Sequence, residues 1–137
     1  MSVTDLDLPG VPLLDSPWSL RFGRGTRGRA ALEVYNNGLL LDVLVAGPLS
    51  ADLLRGGRRG ERDGHLSVLA WGHLPPDGVP PAVWFSHRRH REPRPAEAVG
   101  AAGTFWVALA EGRYDHVSAA RTDGGVQRLR VRAGWSR

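Results

Sequence analysis

Apolar and polar residues alternate along much of the chain, and this alternation predicts short β-strands. Segments 18–22, 65–74, 82–87 and 104–110 place apolar side chains at every second position over most of their length, as a strand with one buried face does. Eighteen glycines and ten prolines lie mostly between such segments and predict frequent turns. The pattern therefore indicates an all-β protein.

The pair Asn37-Gly38 is the clearest turn signal in the chain. It separates the apolar segments Ala30–Asn36 and Leu39–Val45, and a two-residue type I′ turn needs the positive φ angles that Asn and Gly tolerate. A hairpin with this turn has one aliphatic face, which we expect to be buried. That face comprises Leu32, Val34, Leu39, Leu41, Val43 and Val45.

A second hairpin is predicted near the carboxyl end, where segments 114–121 and 126–132 flank Thr122–Gly125. A two-residue turn within that tetrapeptide places Leu129 on the same face as His116. The opposite face then carries arginines at alternate positions, namely Arg128, Arg130 and Arg132.

The segments between these strands are rich in glycine, proline or charge. Residues 55–64 are predicted to form a mobile loop and residues 87–95 a second charged loop. Residues 48–54 and 96–103 each suggest a single helical turn. These interruptions divide the chain into about seven short strands with turn signals at intervals of about ten residues.

This spacing predicts a single antiparallel β-sandwich, immunoglobulin-like or similar, with a partly closed barrel as the alternative. The sandwich domain is expected to span residues 18–137, after an extended N-terminal arm over residues 1–17. A chain of 137 residues suits one domain of this size.

Composition excludes several kinds of chemistry. The chain has no cysteine and no lysine, so all 18 basic residues are arginine, and it cannot use a thiolate nucleophile, a thiolate metal site or a lysine Schiff base. We expect no cofactor, no metal and no membrane insertion, and a cytoplasmic location. The absence of lysine and isoleucine suggests the codon usage of a GC-rich bacterial genome. Fourteen acidic residues leave a net charge of only +4.

A pair of carboxylates is the main candidate for catalysis. The expected register of the first hairpin places Glu33 directly opposite Asp42, with Cβ atoms about 5 Å apart. Two carboxyl groups at that distance raise the pKa of one of them and can act as acid and base. His116 is a further candidate, expected to face the core as a neutral imidazole.

Tryptophan and arginine offer candidate binding residues instead. Trp71, Trp84 and Trp106 are expected to share one face of a sheet, either as a binding surface or, with the faces reversed, as core. Arginine is suited to carboxylates and phosphates because its planar guanidinium donates two parallel hydrogen bonds. The candidate arginines lie in the charged loop and on the last strand: Arg88, Arg89, Arg128, Arg130 and Arg132.

Three functions follow from these residues. The first is a non-enzymatic interaction or assembly module that binds an acidic protein partner, or a second copy of the chain, through the tryptophan face and the arginine-rich loops. The second is a nucleic-acid-binding β domain that contacts phosphates. The third is a small hydrolase or isomerase that uses Glu33 and Asp42, or a cavity that contains His116.

Overall fold

A computed structural model describes residues 2–3, 7–8, 11–12, 16–24, 28–47 and 52–133. These residues form strands and connecting turns, without an α-helix. The strands are β1 (Ser2–Val3), β2 (Asp7–Leu8), β3 (Val11–Pro12), β4 (Trp18–Arg24), β5 (Ala30–Asn36), β6 (Leu39–Val45), β7 (Gly56–Arg62), β8 (His65–His73), β9 (Ala82–His87), β10 (His90–Ala96), β11 (Val99–Ala101), β12 (Phe105–Glu111), β13 (His116–Ala120), β14 (Val126–Arg130) and β15 (Arg132–Ala133).

Three sheets of four or five strands make up the described part of the chain, beside the small β2–β3 pair. The first sheet has the order β1-β4-β5-β6, the middle sheet β11-β12-β8-β7-β15 and the third sheet β10-β9-β13-β14. All strand pairs are antiparallel except β15 with β7, which is parallel. The prediction of an all-β protein is confirmed.

The central strands of the middle sheet, β8 and β12, are buried on both faces. Residues of β8 and β12 point alternately to the two sides, and each side contributes to a separate hydrophobic core. The core shared with the first sheet contains Trp18, Leu20, Leu32, Val34, Leu44, Leu69, Trp71, Phe105, Val107 and Leu109. The core shared with the third sheet contains Val68, Ala70, Val83, Phe85, Trp106, Ala108, Ala110, Val117, Ala119 and Val131.

The expectation of a single seven-stranded sandwich was therefore wrong, and the described strands form no closed barrel. In a two-layer sandwich each strand has a buried face and an exposed face. In β12, six consecutive residues from Phe105 to Ala110 are buried instead, because a second sheet packs on each side of it. Three stacked sheets are the arrangement that gives such a strand no exposed face.

Several predicted strands are confirmed, but two predicted loops are strands. Residues 55–64 contain β7, an inner strand of the middle sheet, and residues 87–95 contain most of β10, which pairs with β9. The predicted helical turn at 96–103 contains β11 instead. The turn predicted at 48–54 lies largely outside the described residues.

Glycine explains why β7 is hard to recognise from the sequence. Gly57 and Gly60 are buried, and a Cβ on Gly57 would lie 2.8 Å from Cγ1 of Val117. The inward positions of this strand therefore hold glycines where a strand pattern would have aliphatic residues, so the segment resembles a flexible charged loop.

The first hairpin has the predicted turn but a different register. Asn37 and Gly38 both have positive φ angles, 46° and 81°, as a type I′ turn requires. A β-bulge then inserts Leu41 as an additional residue, so that Val34 lies opposite Asp42. Beyond the bulge the faces of β6 are exchanged, and Leu44 is buried where Val43 was expected.

The second hairpin also departs from the expected register. Its strands close on Ala120 opposite Val126, which leaves a five-residue loop over residues 121–125 instead of a two-residue turn. An odd loop length exchanges the faces of one strand relative to the other. Arg128 and Arg130 therefore share a face with Ser118 and His116, and Leu129 pairs with Val117.

The predicted N-terminal arm contains three two-residue strands, of which β1 pairs with β4 and extends the first sheet. The rest of residues 1–15 lies outside the described residues. No helix in the described part of the chain is long and apolar enough to cross a membrane.

Candidate functional site

The outer face of the third sheet gathers most of the candidate residues. Val83, Phe85, Val117 and Ala119 point into the second core, so their neighbours along β9 and β13 point away from the middle sheet. The register of β9, β13 and β14 then defines two rows across this face. One row is Trp84, Ser118 and Arg128, and the other is Ser86, His116 and Arg130.

Within the first row, Trp84 and Arg128 lie on either side of Ser118, about 10 Å apart between Cα atoms because they are two strands apart. Trp84 is partly exposed, whereas Ser118 is buried between its two larger neighbours. The row therefore offers an indole and a guanidinium to solvent on one surface.

The prediction that three tryptophans share a face was wrong. Trp71 lies in the first core and Trp106 in the second, and both are almost fully buried. Trp71 lies opposite Val107 in the β8–β12 pair and therefore shares its face. Trp106 is the residue before Val107, so its side chain points to the other face of the sheet. For these two residues the core alternative holds, and only Trp84 of the three stands on an accessible face.

Arg88 joins the face at one end of the second row. It lies with Arg89 in the turn between β9 and β10, and its backbone N–H donates a hydrogen bond of 3.1 Å to Oδ2 of Asp115. The N–H of Arg89 donates to Nδ1 of His87 at 3.1 Å. These two bonds fix the turn and hold Arg88 beside His116.

A depression of about 180 Å³ lies at this end of the face, lined by Arg88, Asp115, His116 and Arg130. The carboxylate of Asp115 also lies 3.7 Å from Nε2 of His87 and 4.0 Å from a guanidinium nitrogen of Arg59. The hydrogen bond from Arg88, which outweighs the opposing effect of burial, and the nearby positive charges lower the pKa of Asp115. Asp115 is therefore ionised and holds the Arg88 backbone and the side chains of Arg59 and His87 close to it.

His116 was expected in the core and lies on this outer face instead, partly exposed. Burial and the positive charges of Arg128, Arg130 and Arg88 lower its pKa below the ordinary value near 6.5, against a smaller opposite effect of Asp115. The surroundings therefore favour the neutral form of the imidazole. The depression then combines two fixed positive charges with one ionised carboxylate.

A second concave region adjoins the first and is also lined by arginines. A groove of about 240 Å³ is bounded by Arg55, Arg58, Arg130 and Arg132, together with Leu129 and the backbone of Gly56 and Gly57. Arg132 belongs to β15 of the middle sheet, next to Arg58 of β7. The three arginines that were expected on one strand therefore lie in two sheets: Arg128 and Arg130 in the third sheet and Arg132 in the middle sheet. The chain passes from one sheet to the other at Val131, which is buried.

Three of the candidate arginines have no acidic partner among the described residues. Within the described part of the chain, Arg128, Arg130 and Arg132 form no ion pair, whereas Arg55 is bonded to Asp42 at 3.1 Å. One guanidinium nitrogen of Arg58 donates to the carbonyl oxygen of Ala133 at 3.3 Å. Sequence reasoning missed Arg55 and Arg58 as site residues, because both fall in the segment that was predicted to be a mobile loop.

The candidate carboxylate pair is not brought together. Owing to the bulge, Glu33 lies opposite Val43 and Asp42 lies opposite Val34. Glu33 accepts a hydrogen bond of 2.6 Å from the Tyr35 hydroxyl on the outer face of the first sheet. The register prediction that placed the two carboxylates side by side was wrong.

Asp42 instead has a structural environment. It accepts hydrogen bonds from Nε1 of Trp71 at 2.9 Å, from two nitrogens of Arg55 at 3.1 and 3.2 Å, and from the N–H of Val43 at 2.9 Å. Burial pulls its pKa upwards, but these donors and the charge of Arg55 outweigh burial and lower it. Asp42 is held as a carboxylate by groups that leave little room for a substrate.

Among the described residues, no three His, Asp or Glu side chains come close enough to hold a metal ion. Comparison with known proteins gave no match to a family model, a curated protein or a solved structure. The functional argument accordingly rests on the geometry of the third sheet and of the groove beside it.

Proposed function

We propose that the protein is a non-enzymatic binding module that holds an anionic partner on the outer face of its third sheet. The observation that carries this proposal is the register of β9, β13 and β14, which gathers Trp84, His116, Arg128 and Arg130 on one face. Together with Arg88 these residues are called the arginine face below.

Charge supports an anionic partner. Arg128 and Arg130 are exposed and lie about 7 Å apart along β14, so two fork-shaped donors point into solvent from one strand. Neither forms an ion pair within the described residues. Bidentate bonds from arginine to carboxylate or phosphate are among the stronger hydrogen bonds of proteins, and a partner with several such groups can engage both arginines.

The chemistry of the surrounding residues supports binding over catalysis. Glu33 and Asp42 do not face each other across the hairpin, and Asp42 already accepts bonds from Trp71, Arg55 and Val43. His116 is flanked by arginines, which favour an anion at this site but weaken the imidazole as a base. Binding an anion requires no proton transfer and therefore no acid–base pair of side chains.

The experiment is retention on immobilised heparin, a polyanion, with elution by a salt gradient. The variant Arg128→Gln/Arg130→Gln should elute at clearly lower salt than the unaltered protein, because both exposed cations of β14 are gone. The matched control is Arg21→Gln/Arg24→Gln, which removes the same charge from β4 of the first sheet. Equal shifts for the two variants would show that net charge, and not the arginine face, determines binding.

A further inference from the structure

We infer that the anionic partner is a single-stranded nucleic acid, which runs from the arginine face into the neighbouring arginine groove. The inference rests on the proposed function and adds the class of partner. Its first support is continuity, because Arg130 lines both the depression next to Arg88 and the groove next to Arg132. The two concave regions therefore form one path lined mainly by arginines, with the carboxylate of Asp115, which accepts a hydrogen bond from the Arg88 N–H, as its acidic group.

This path is longer than a single phosphate would need. It begins at Arg88 in the β9–β10 turn, passes Arg130 on β14 and continues to Arg132 and Arg58 at the edge of the middle sheet. Successive cations along a surface match a polymer with a negative charge on every unit. A small anion would be held at one point of this path and would leave the other arginines unused.

The floor of the groove favours close contact with a backbone. Gly56 and Gly57 line it and present only main-chain atoms. A Cβ on Gly56 would lie 2.5 Å from the indole of Trp71 and one on Gly57 would lie 2.8 Å from Val117, so packing of the two cores requires glycine at both positions. A sugar–phosphate chain can lie against this main chain, next to Leu129 and between the guanidinium groups of Arg58 and Arg132.

The indole of Trp84 distinguishes a nucleic acid from an acidic peptide. It stands partly exposed in the same row as Arg128, and an aromatic ring beside a basic path provides a surface on which a base can stack. Carboxylates of an acidic peptide would use the arginines but have no flat aromatic group to place on the indole. The combination of ring and cations therefore favours bases linked by phosphates.

The width of the face favours a single strand over a duplex. The third sheet has four strands, so its outer strands lie about 14 Å apart, while the major groove of B-DNA is only about 12 Å wide. The outer face of the sheet is therefore too wide to fit into the major groove. Unpaired bases, in contrast, can lie flat on this face. Duplex DNA would reach the arginines through its phosphates alone.

The test measures fluorescence anisotropy of labelled probes on the full chain. The probes are oligo-dT and oligo-U of about 15 nucleotides, a duplex of the same length, and an oligoglutamate peptide, each at about 50 and 200 mM salt. We expect the single strands to bind more tightly than the duplex and the peptide, with affinity decreasing steeply as salt increases.

Two variants at one position isolate stacking. Trp84→Ala should weaken single-strand binding by about 5- to 150-fold, the loss typical of one stacked base, whereas Trp84→Phe should retain most of it. Arg130→Gln, at an exposed position, should weaken binding and make it less sensitive to salt, with Arg24→Gln as the control. Melting temperatures of all variants establish whether an effect on binding follows from loss of folding.

The outcomes separate this inference from the proposed function. Preferential binding of oligoglutamate, equal binding of duplex and single strand, or equal affinities of folded Trp84→Ala and Trp84→Phe would overturn the assignment to single-stranded nucleic acid. Binding to heparin through Arg128 and Arg130 would still support an anionic partner in those cases. Failure of heparin and of all four probes to bind would overturn the proposed function as well.

Discussion

The indole Nε1 of Trp71 donates a hydrogen bond of 2.9 Å to the carboxylate of Asp42. The bond connects the middle sheet to β6, the edge strand of the first sheet, across the first core. Asp42 can reach the indole because the bulge at Leu41 places it opposite buried Val34. Arg55 completes the arrangement from the segment that leads into β7.

Removal of the Asp42 carboxylate should destabilise the protein. Asp42→Ala leaves the buried indole N–H of Trp71 without its acceptor, at a cost of about 1–3 kcal/mol in the free energy of unfolding. The measurement is urea denaturation followed by circular dichroism. Glu97→Ala, at an exposed acidic position between β10 and β11, is the control and should change the free energy of unfolding by less than about 0.5 kcal/mol. Equal stabilities of the two variants would contradict a role for the Trp71–Asp42 bond.

The contribution of Asp42 should also depend on pH. Its folded-state pKa lies below 3.8, so the stabilisation by the charged form is fully present above the unfolded-state pKa and is lost as the pH decreases through the folded-state value. The stability difference between the unaltered protein and Asp42→Asn should therefore be largest near neutral pH and shrink as the pH falls below 3.8. A difference that grew on acidification would have the wrong sign.

The first hairpin shows how far the sequence alone predicts the structure. The alternation of apolar residues identifies the strands of the hairpin around Asn37-Gly38, and the turn has the predicted type. A bulge residue has no signature in that pattern, because Leu41 is as apolar as its neighbours. One additional residue changes which side chains face the core, so the partners of Glu33 and Asp42 could not be derived from strand spacing.

The candidate site shows the same limit. Arginines at alternate positions predict that Arg128, Arg130 and Arg132 share a face of one strand. Arg128 and Arg130 do so on β14, whereas Arg132 belongs to β15 of the middle sheet. Which residues share that face with them depends on the parity of the loop after Ala120, and which strands lie beside β13 depends on long-range pairing. Neither is encoded locally, so Trp84 and His116 join the arginines only in the folded chain.

Gly72 should tolerate no side chain. A Cβ there would overlap the carbonyl oxygen of Leu53, which also accepts a hydrogen bond of 2.7 Å from the Trp106 indole. Gly72→Ala should therefore displace the segment at Leu53 and prevent cooperative folding, measured as loss of the thermal unfolding transition. Gly100→Ala is the matched control, since its Cβ would meet only a Leu74 methyl group at 3.8 Å and should leave the transition nearly unchanged.

The pKa of His116 should respond to the arginines around it. It lies below 6.5 because of burial and of the charges of Arg128, Arg130 and Arg88, with Asp115 acting in the opposite direction. Arg128→Gln/Arg130→Gln removes two of the three positive charges, so the pKa should increase towards its ordinary value. Titration of the imidazole resonances by NMR measures it, with Arg21→Gln/Arg24→Gln as the control. An unchanged pKa would mean that the arginines of β14 do not face His116.

Trp84 should account for the fluorescence that an aqueous quencher can reach. Trp18, Trp71 and Trp106 are nearly fully buried, whereas Trp84 is partly exposed. In a Trp135→Phe background, acrylamide should quench one fraction of the emission, and that fraction should disappear in Trp84→Phe. Quenching of the same extent in both proteins would place the accessible indole elsewhere.

Because the middle sheet has a core on each side, its residues tolerate substitution less than residues on the outer faces of the flanking sheets do. In β8 and β12 nearly every side chain is enclosed, so a neutral exchange at one position needs a compensating exchange in an adjoining layer. In the two flanking sheets many outward positions face water, Arg128 and Arg130 among them, and can vary independently. The arginine face lies on one of these outer surfaces, so Arg128 and Arg130 can be exchanged without any repacking of the central layer.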